Sequence, residues 1–298
     1  MLEGIFVEGL IYAIMALGVF FTFRILDFPD LTVDGSFPMG AVIMATVLTG
    51  GLHPLTGLLL AFIGGILAGF VTAAIHNRLK VPHLLAGILT MTMLYSVNIR
   101  ILGNRANLPL LRVDTIITQM AGITDGLIPA DWTSLIFFVL VVAAIKFCLD
   151  LFFHTDMGLV FGALGNNEQM VKVQGVNPAT LKLIGVGLSN GLVALSGAFA
   201  AQYQGFADVN LGQGIVVSGL ASVMLGEFII KSNRIGMLTL RVILGAILFK
   251  AIMYLGRFYG YYVNMTPNDL KLIAGILIIT SLAITNYRRI RGKGGTAA

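Results

Sequence analysis

From Ile5 to Thr285 the chain is a succession of apolar runs, and no polar block between them is large enough to fold by itself. A helix needs about 20 apolar residues to cross the roughly 30 Å hydrocarbon layer of a bilayer. Runs at 5–23, 35–50, 53–76, 83–102, 132–152, 179–203, 213–230, 240–257 and 270–287 meet or approach that length. The expected fold is therefore an all-α polytopic membrane protein with about nine membrane segments, because helices satisfy every backbone polar group where water is absent. Composition agrees: of 298 residues, 57% are apolar and 11% charged, and no water-facing surface can be assembled from that mixture. Residues 1–298 read as a single membrane domain.

The net charge of +5 falls at predicted span ends and in a basic tail over 288–298, which reads as a topology signal and not as a face for nucleic acid. Placing Arg288, Arg289, Arg291 and Lys293 in the cytoplasm also puts Arg24, Arg78, Lys80, Lys172, Lys182, Lys231, Arg234 and Arg241 there. Arg100, Arg105, Arg112, Arg257 and Lys271 then lie outside. A cytoplasmic C-terminus and an external N-terminus follow from that split. The first run lacks a basic leader and a small-residue cleavage pattern after Phe23, so it is expected to remain as a spanning helix. Cys148 is the only cysteine, which excludes an intrachain disulfide. His53, His76, His83 and His154 stand singly near helix ends and match no metal or catalytic-triad spacing, so neither a metal site nor a membrane enzyme is expected.

The two halves match weakly at an offset of 178 residues. Phe28, Asp30 and Val33 stand where Phe206, Asp208 and Leu211 stand in the second half; upstream, Leu10, Ala16, Leu17 and Phe21 fall on Leu188, Ala194, Leu195 and Phe199. Spans are odd in number between the copies, so the copies enter the membrane from opposite sides, as in the inverted repeats of many transporters. Repeat 1 covers about 5–102, a linking span 132–152, and repeat 2 about 179–287. Short or broken helices are expected near 27–40 and 205–218, where Asp27, Asp30, Asp34 and Ser36, and then Asp208, Asn210, Gln213 and Ser218, interrupt apolar sequence. These residues are candidates for the substrate pathway; ordinary helix caps account for them equally well. Glu227 with Lys231, and Lys146 with Asp150, have the spacing of local ion pairs, whereas Glu8, Arg100 and Lys250 have no local partner. The stretch 103–131 is expected to be an external loop covering a pathway mouth or meeting a partner, and the Gly-rich stretches around Gly64 and Gly191 to permit close helix packing.

Between the linking span and repeat 2 lies a polar stretch, 154–178, expected in the cytoplasm. Gly158, Ala163, Gly165, Asn167, Gly175 and Val176 are spaced as in the cytoplasmic loop of permeases in the branched-chain amino acid and ribose group of ABC importers, which this chain resembles from residue 9 to 287. Tyr12 to Gly18 and Leu26 to Pro38 are similar to the opening of that family, nearest a subgroup linked to uptake of amino acids, some tryptophan-like. The family's usual Arg is Gly162 here, so its charge contact is either missing or supplied by Lys172. Asn166 or Asn167 can cap a short helix that Gly175 ends, giving a soluble motor something to grip.

The resemblance implies an inner-membrane permease working with cytoplasmic ABC ATPases, an external solute-binding protein and a second permease chain, expected to be identical. No Gly-x-x-x-x-Gly-Lys-[Ser/Thr] loop occurs, so the chain is expected to bind no cofactor itself, ATP and Mg belonging to the partner ATPase. The expected cargo is a branched-chain or aromatic amino acid. An ion-gradient-driven transporter, or a permease for a sugar or nucleoside, remains the alternative.

Overall fold

The computed structural model describes residues 2–111, 113–123, 129–230, 232, 234–260, 272–276 and 278–280. Helix α1 (Leu2–Phe20) runs on through a π-helical turn at Phe21–Ile25. Thr22 bonds back to the carbonyls of Gly18 and Val19, a habit that loosens a helix, and Asp27 then takes a left-handed backbone with φ of 49°. The chain turns back along itself and restarts as the short α2 (Val33–Thr49). Helices α3 (Pro54–Leu79) and α4 (His83–Ile101) follow, the first opened by Pro54 behind a His53 cap.

A strand β1 (Asn107–Pro109) and helix α5 (Ile116–Ile123) lie between α4 and α6 (Ala130–Phe153). Then come α7 (Asp156–Asn166), α8 (Glu168–Val173) and the long α9 (Pro178–Gln204), whose start is capped by Asn177. Gly205, with φ of 76°, ends α9 in the left-handed conformation that glycine adopts without strain. Strand β2 (Phe206–Asp208) and a single turn at Val209–Gly212 lead into α10 (Ile215–Ile229), and α11 (Ile235–Gly260) completes the bundle.

Seven helices among the described residues are long and apolar enough to cross a membrane. The expected nine also counted 35–50, which is the 17-residue α2, and 270–287, which lies largely outside the described residues, as does the basic tail. Burial sorts the seven: 72% of the apolar windows of α1 and α9 is buried, against 11% for α6, so α1 and α9 form the centre and α6 the rim. Lipid is as apolar as leucine, so such helices associate by close packing. A Cβ on Gly40 or Gly197 would overlap the carbonyl oxygen of Ala194 or Phe37, and one on Gly65 or Gly69 those of Asn190 or Val186. These glycines let α2 and α3 approach α9 at backbone distance, as the Gly-rich sequence predicts.

The loop after α4 is tied down. Strand β1 pairs antiparallel with β2, setting Asn107 opposite Asp208 and Leu108 opposite Ala207, and Ile116 N–H donates to the Gln202 side chain at 2.9 Å. The segment thus lies across the break that follows α9.

Candidate functional site

The first break, Leu26–Thr32, is closed by a buried polar seam. Asp30 accepts from Thr32 N–H at 2.8 Å and from the Asn190 amide at 2.6 Å, and Ser36 donates to the other side of the same amide at 2.5 Å. The Thr32 and Thr72 hydroxyls meet at 2.7 Å. Asn190 sits near the middle of α9 and Thr72 well inside α3, so this network lies at membrane depth. A charge there requires partners, and the seam supplies them. Asp30 and Ser36 are therefore brought together, whereas Asp27 is exposed at the turn.

Asp34 does something its position in the sequence conceals. Its own helix, α2, has no side-chain cap at Thr32, and its carboxylate instead accepts from Gly214 N–H at 3.0 Å and Val216 N–H at 2.9 Å. It caps α10, a helix 180 residues away, with its carboxyl oxygens at the positive helix end. A Cβ on Gly212 would overlap the Asp34 carbonyl, so that glycine admits the close approach.

The second break, Gly205–Gly214, is open. Asp208 accepts from the backbone and side-chain N–H groups of Asn210 at 2.7 and 3.0 Å and from Asn107 at 3.3 Å, all exposed. Two recesses meet here. One of about 230 Å³ lies between α2, α4 and the turn, lined by Asp34, Pro38, Tyr95, Asn98, Asn210 and Gln213. The other, about 540 Å³, lies between α1, α10 and α11 and is lined by Glu8, Tyr12, Gln213, Ser218, Lys250 and Tyr254. Gln213 borders both, and its amide donates to Asn210 at 3.3 Å.

Ion pairs also join residues far apart in sequence. Glu8 and Lys250, without neighbours in sequence, pair across α1 and α11 at 3.3 Å, with the Lys250 ammonium 3.3 Å from the centre of the Tyr12 ring. Glu227 bonds Arg24 at 3.2 Å and Arg241 at 3.1 Å; Lys231 lies outside the described residues. Lys146 and Asp150 pair as their spacing predicts. The histidines are not all single: the rings of His76 and His83 lie 4.0 Å apart, both against Phe28. Among the described residues no group of three or more His, Cys, Asp or Glu could hold a metal.

The stretch 154–178 forms two helices where one was expected, because Asn167 leaves the helical conformation and caps α8 by accepting from Met170 N–H at 3.0 Å. Gly175 ends it with φ of 84°. Gly158 packs on the end of α6, and a Cβ on Gly165 would overlap the carbonyl of Ile25, so α7 sits directly on the π-helical turn before the first break. Ala163 and Val176 pack into the same apolar cluster, around Phe161. Asn166 is exposed, and Gly162 faces open space. On α8, Met170 and Val173 are 52% and 87% exposed, an apolar edge that no described part of the chain covers.

Two other hydrogen bonds link the central helices: Ser189 donates to the Gly18 carbonyl at 2.6 Å, and Ser196 to the Ile11 carbonyl at 2.7 Å. Asn190, Ser189, Ser196 and Thr72 escape a reading by sequence; the only signal was a polar side chain inside an apolar run.

A multispan bundle with polar breaks at its centre, recesses at one end and a paired helix seated on the other defines the membrane domain of a transporter. The profile of the branched-chain amino acid transport system permease component matches residues 1–282, and the chain belongs to that family. It is 40% identical over 283 residues to a tyrosine transport system permease protein of Clostridioides difficile, covering 95% of this chain and 90% of the relative. An autoinducer 2 import system permease protein of Salmonella paratyphi B is 25% identical over 200 residues, 66% of this chain and 54% of the relative. Among solved structures, PsaBC from Streptococcus pneumoniae in complex with Fab shares the fold with a TM-score of 0.53 at 16% identity, over 94% of this chain and 88% of that one. The chain is a permease component of an ABC transport system.

Proposed function

We propose that this permease carries an amino acid inward across a bacterial inner membrane, past Asp34, Asn210, Gln213 and Ser218, and that a separate cytoplasmic ATPase drives it by pressing on α7 and α8. The observation that carries the reading is the seat of these helices: Gly165 against Ile25, and Glu168 bonded to Lys182 of α9 at 2.9 Å. A push on α8 therefore reaches both the first break and the start of α9. The apolar edge of Met170 and Val173 suits a groove on a soluble partner.

Orientation follows from charge. Arg24, Arg78, Lys80, Lys172, Lys182, Arg234 and Arg241 share the end that carries α7 and α8, against Arg100, Arg105, Lys250 and Arg257 at the other. That excess favours a cytoplasmic α7–α8 end. The inverted repeat gains support from the serine bonds. Ile11 and Ser189, like Gly18 and Ser196, are 178 residues apart, so the offset maps one bonded residue pair onto the other, as a two-fold axis between α1 and α9 would, with the hydroxyl donor on α9 in both pairs. Asp34 and Gly212, also 178 apart, touch each other, as equivalents beside such an axis do.

An amino acid is the proposed cargo, in keeping with the tyrosine transport permease that is 40% identical. A solute-binding protein delivers it at the recess end, and a second permease copy completes the pathway. Proteoliposomes holding the permease, its ATPase and the binding protein should take up labelled tyrosine or leucine only with internal ATP, and collapse of ion gradients should leave uptake intact. Uptake that needs a gradient and no ATP would overturn the drive mechanism; uptake of only ribose or a nucleoside would overturn the cargo.

A further inference from the structure

On the α7–α8 end, a third recess of about 460 Å³ opens between the end of α3, the starts of α4 and α9, and α8. Its wall holds His76, Lys80, His83, Lys172 and Lys182, with Glu168 the one acidic residue in the lining; Asp27 acts on His83 from nearby. Lys182 is 9% exposed, and its ammonium lies 2.9 Å from Glu168 and 3.5 Å from Nε2 of His76. Lys80 and Lys172 point no charge at any described acid and remain exposed. His83 Nδ1 is buried with no described hydrogen-bond partner. One carboxylate, itself 54% exposed, thus stands against three ammonium groups. Next to the lining residues Lys80 and His83 in sequence, Leu79 and Leu84 are 66% and 50% exposed on either side of the α3–α4 turn. Three cations in a concave site, beside leucines that water disfavours, match an anionic headgroup with acyl chains at its side.

We propose that this recess binds a phosphate-bearing anion, supplied by the headgroup of an anionic phospholipid of the adjoining leaflet or by free phosphate, and that the anion competes with Glu168 for Lys182. The site rests on the orientation given above only for which leaflet supplies the lipid. Because Glu168 is the first residue of α8, occupancy loosens the tie between α8 and α9 and so tunes how firmly a push on α8 reaches the bundle.

The test uses the delipidated, detergent-purified complex and needs neither ATP nor transport. Dioleoylphosphatidylglycerol, dioleoylphosphatidylcholine and inorganic phosphate are titrated in turn, with thermal unfolding and native mass spectrometry as readouts. Expected is retention and stabilisation by phosphatidylglycerol over phosphatidylcholine, weakened roughly tenfold or more in Lys80→Gln/Lys172→Gln and kept in Lys80→Arg/Lys172→Arg. These lysines are exposed, so the variants should fold. Stabilisation by inorganic phosphate without selective lipid retention would assign the site to a soluble phosphate; selective lipid retention alone would assign it to the headgroup. Equal response to both lipids with none to phosphate, or unchanged affinity in Lys80→Gln/Lys172→Gln, would overturn the site. ATP-independent uptake in the earlier experiment would sink the drive mechanism and leave this result standing.

Discussion

The two breaks in the bundle are built from similar sequence and live in opposite surroundings. Asp30 is 5% exposed and held by an amide from the middle of α9; Asp208 is half-buried, and its hydrogen bonds, to its own turn and a loop, are open to solvent. The first break is sealed, with α9 as its lid, and α7 seats on the turn that leads into it. The second opens onto two recesses. One pattern thus closes against α9 on one side and borders cavities on the other, and burial separates the two.

That contrast can be broken by mutation. The largest effect is expected at Asn190→Leu, which removes the α9 donor of the buried Asp30 carboxyl; a loss of about 2–3 kcal/mol should abolish a monodisperse peak in fluorescence-detected gel filtration. Asp30→Leu/Asn190→Leu, which removes both partners, should recover much of that loss. Next, Asp34→Ala uncaps α10 and should cost about 1–2 kcal/mol in thermal unfolding while slowing uptake, because the start of α10 borders the recess. Ser189→Ala and Ser196→Ala should each cost about 1 kcal/mol in thermal unfolding. Asp208→Ala should be smallest, below about 1 kcal/mol, since water replaces its bonds. If it matched Asn190→Leu, the distinction between sealed and open breaks would fail.

Much of this was legible beforehand because it is local. Apolar runs locate the spans, Asp and Pro mark the breaks, and Asn167 with Gly175 brackets α8 by cap chemistry that needs only a few neighbouring residues. What escaped is long-range. Asp34 reads as a cap for α2, and only the fold shows that α2 lies against the start of α10. Glu8 and Lys250 have no near partner in sequence because α1 and α11 meet only after the bundle closes. Glu227 meets two arginines from other elements, Arg24 and Arg241, which local spacing does not reveal. Asn190 is one polar residue in a long helix, and its role depends on which helix restarts beside it.

Force entering through α8 is the central claim, and the most direct measurement is substrate-stimulated ATP hydrolysis by the assembled complex carrying Met170→Glu/Val173→Glu. Both side chains are exposed, so the permease should fold and α8 should persist. The account predicts that stimulation disappears while basal hydrolysis by the ATPase continues. Stimulation at the unmodified level would contradict it.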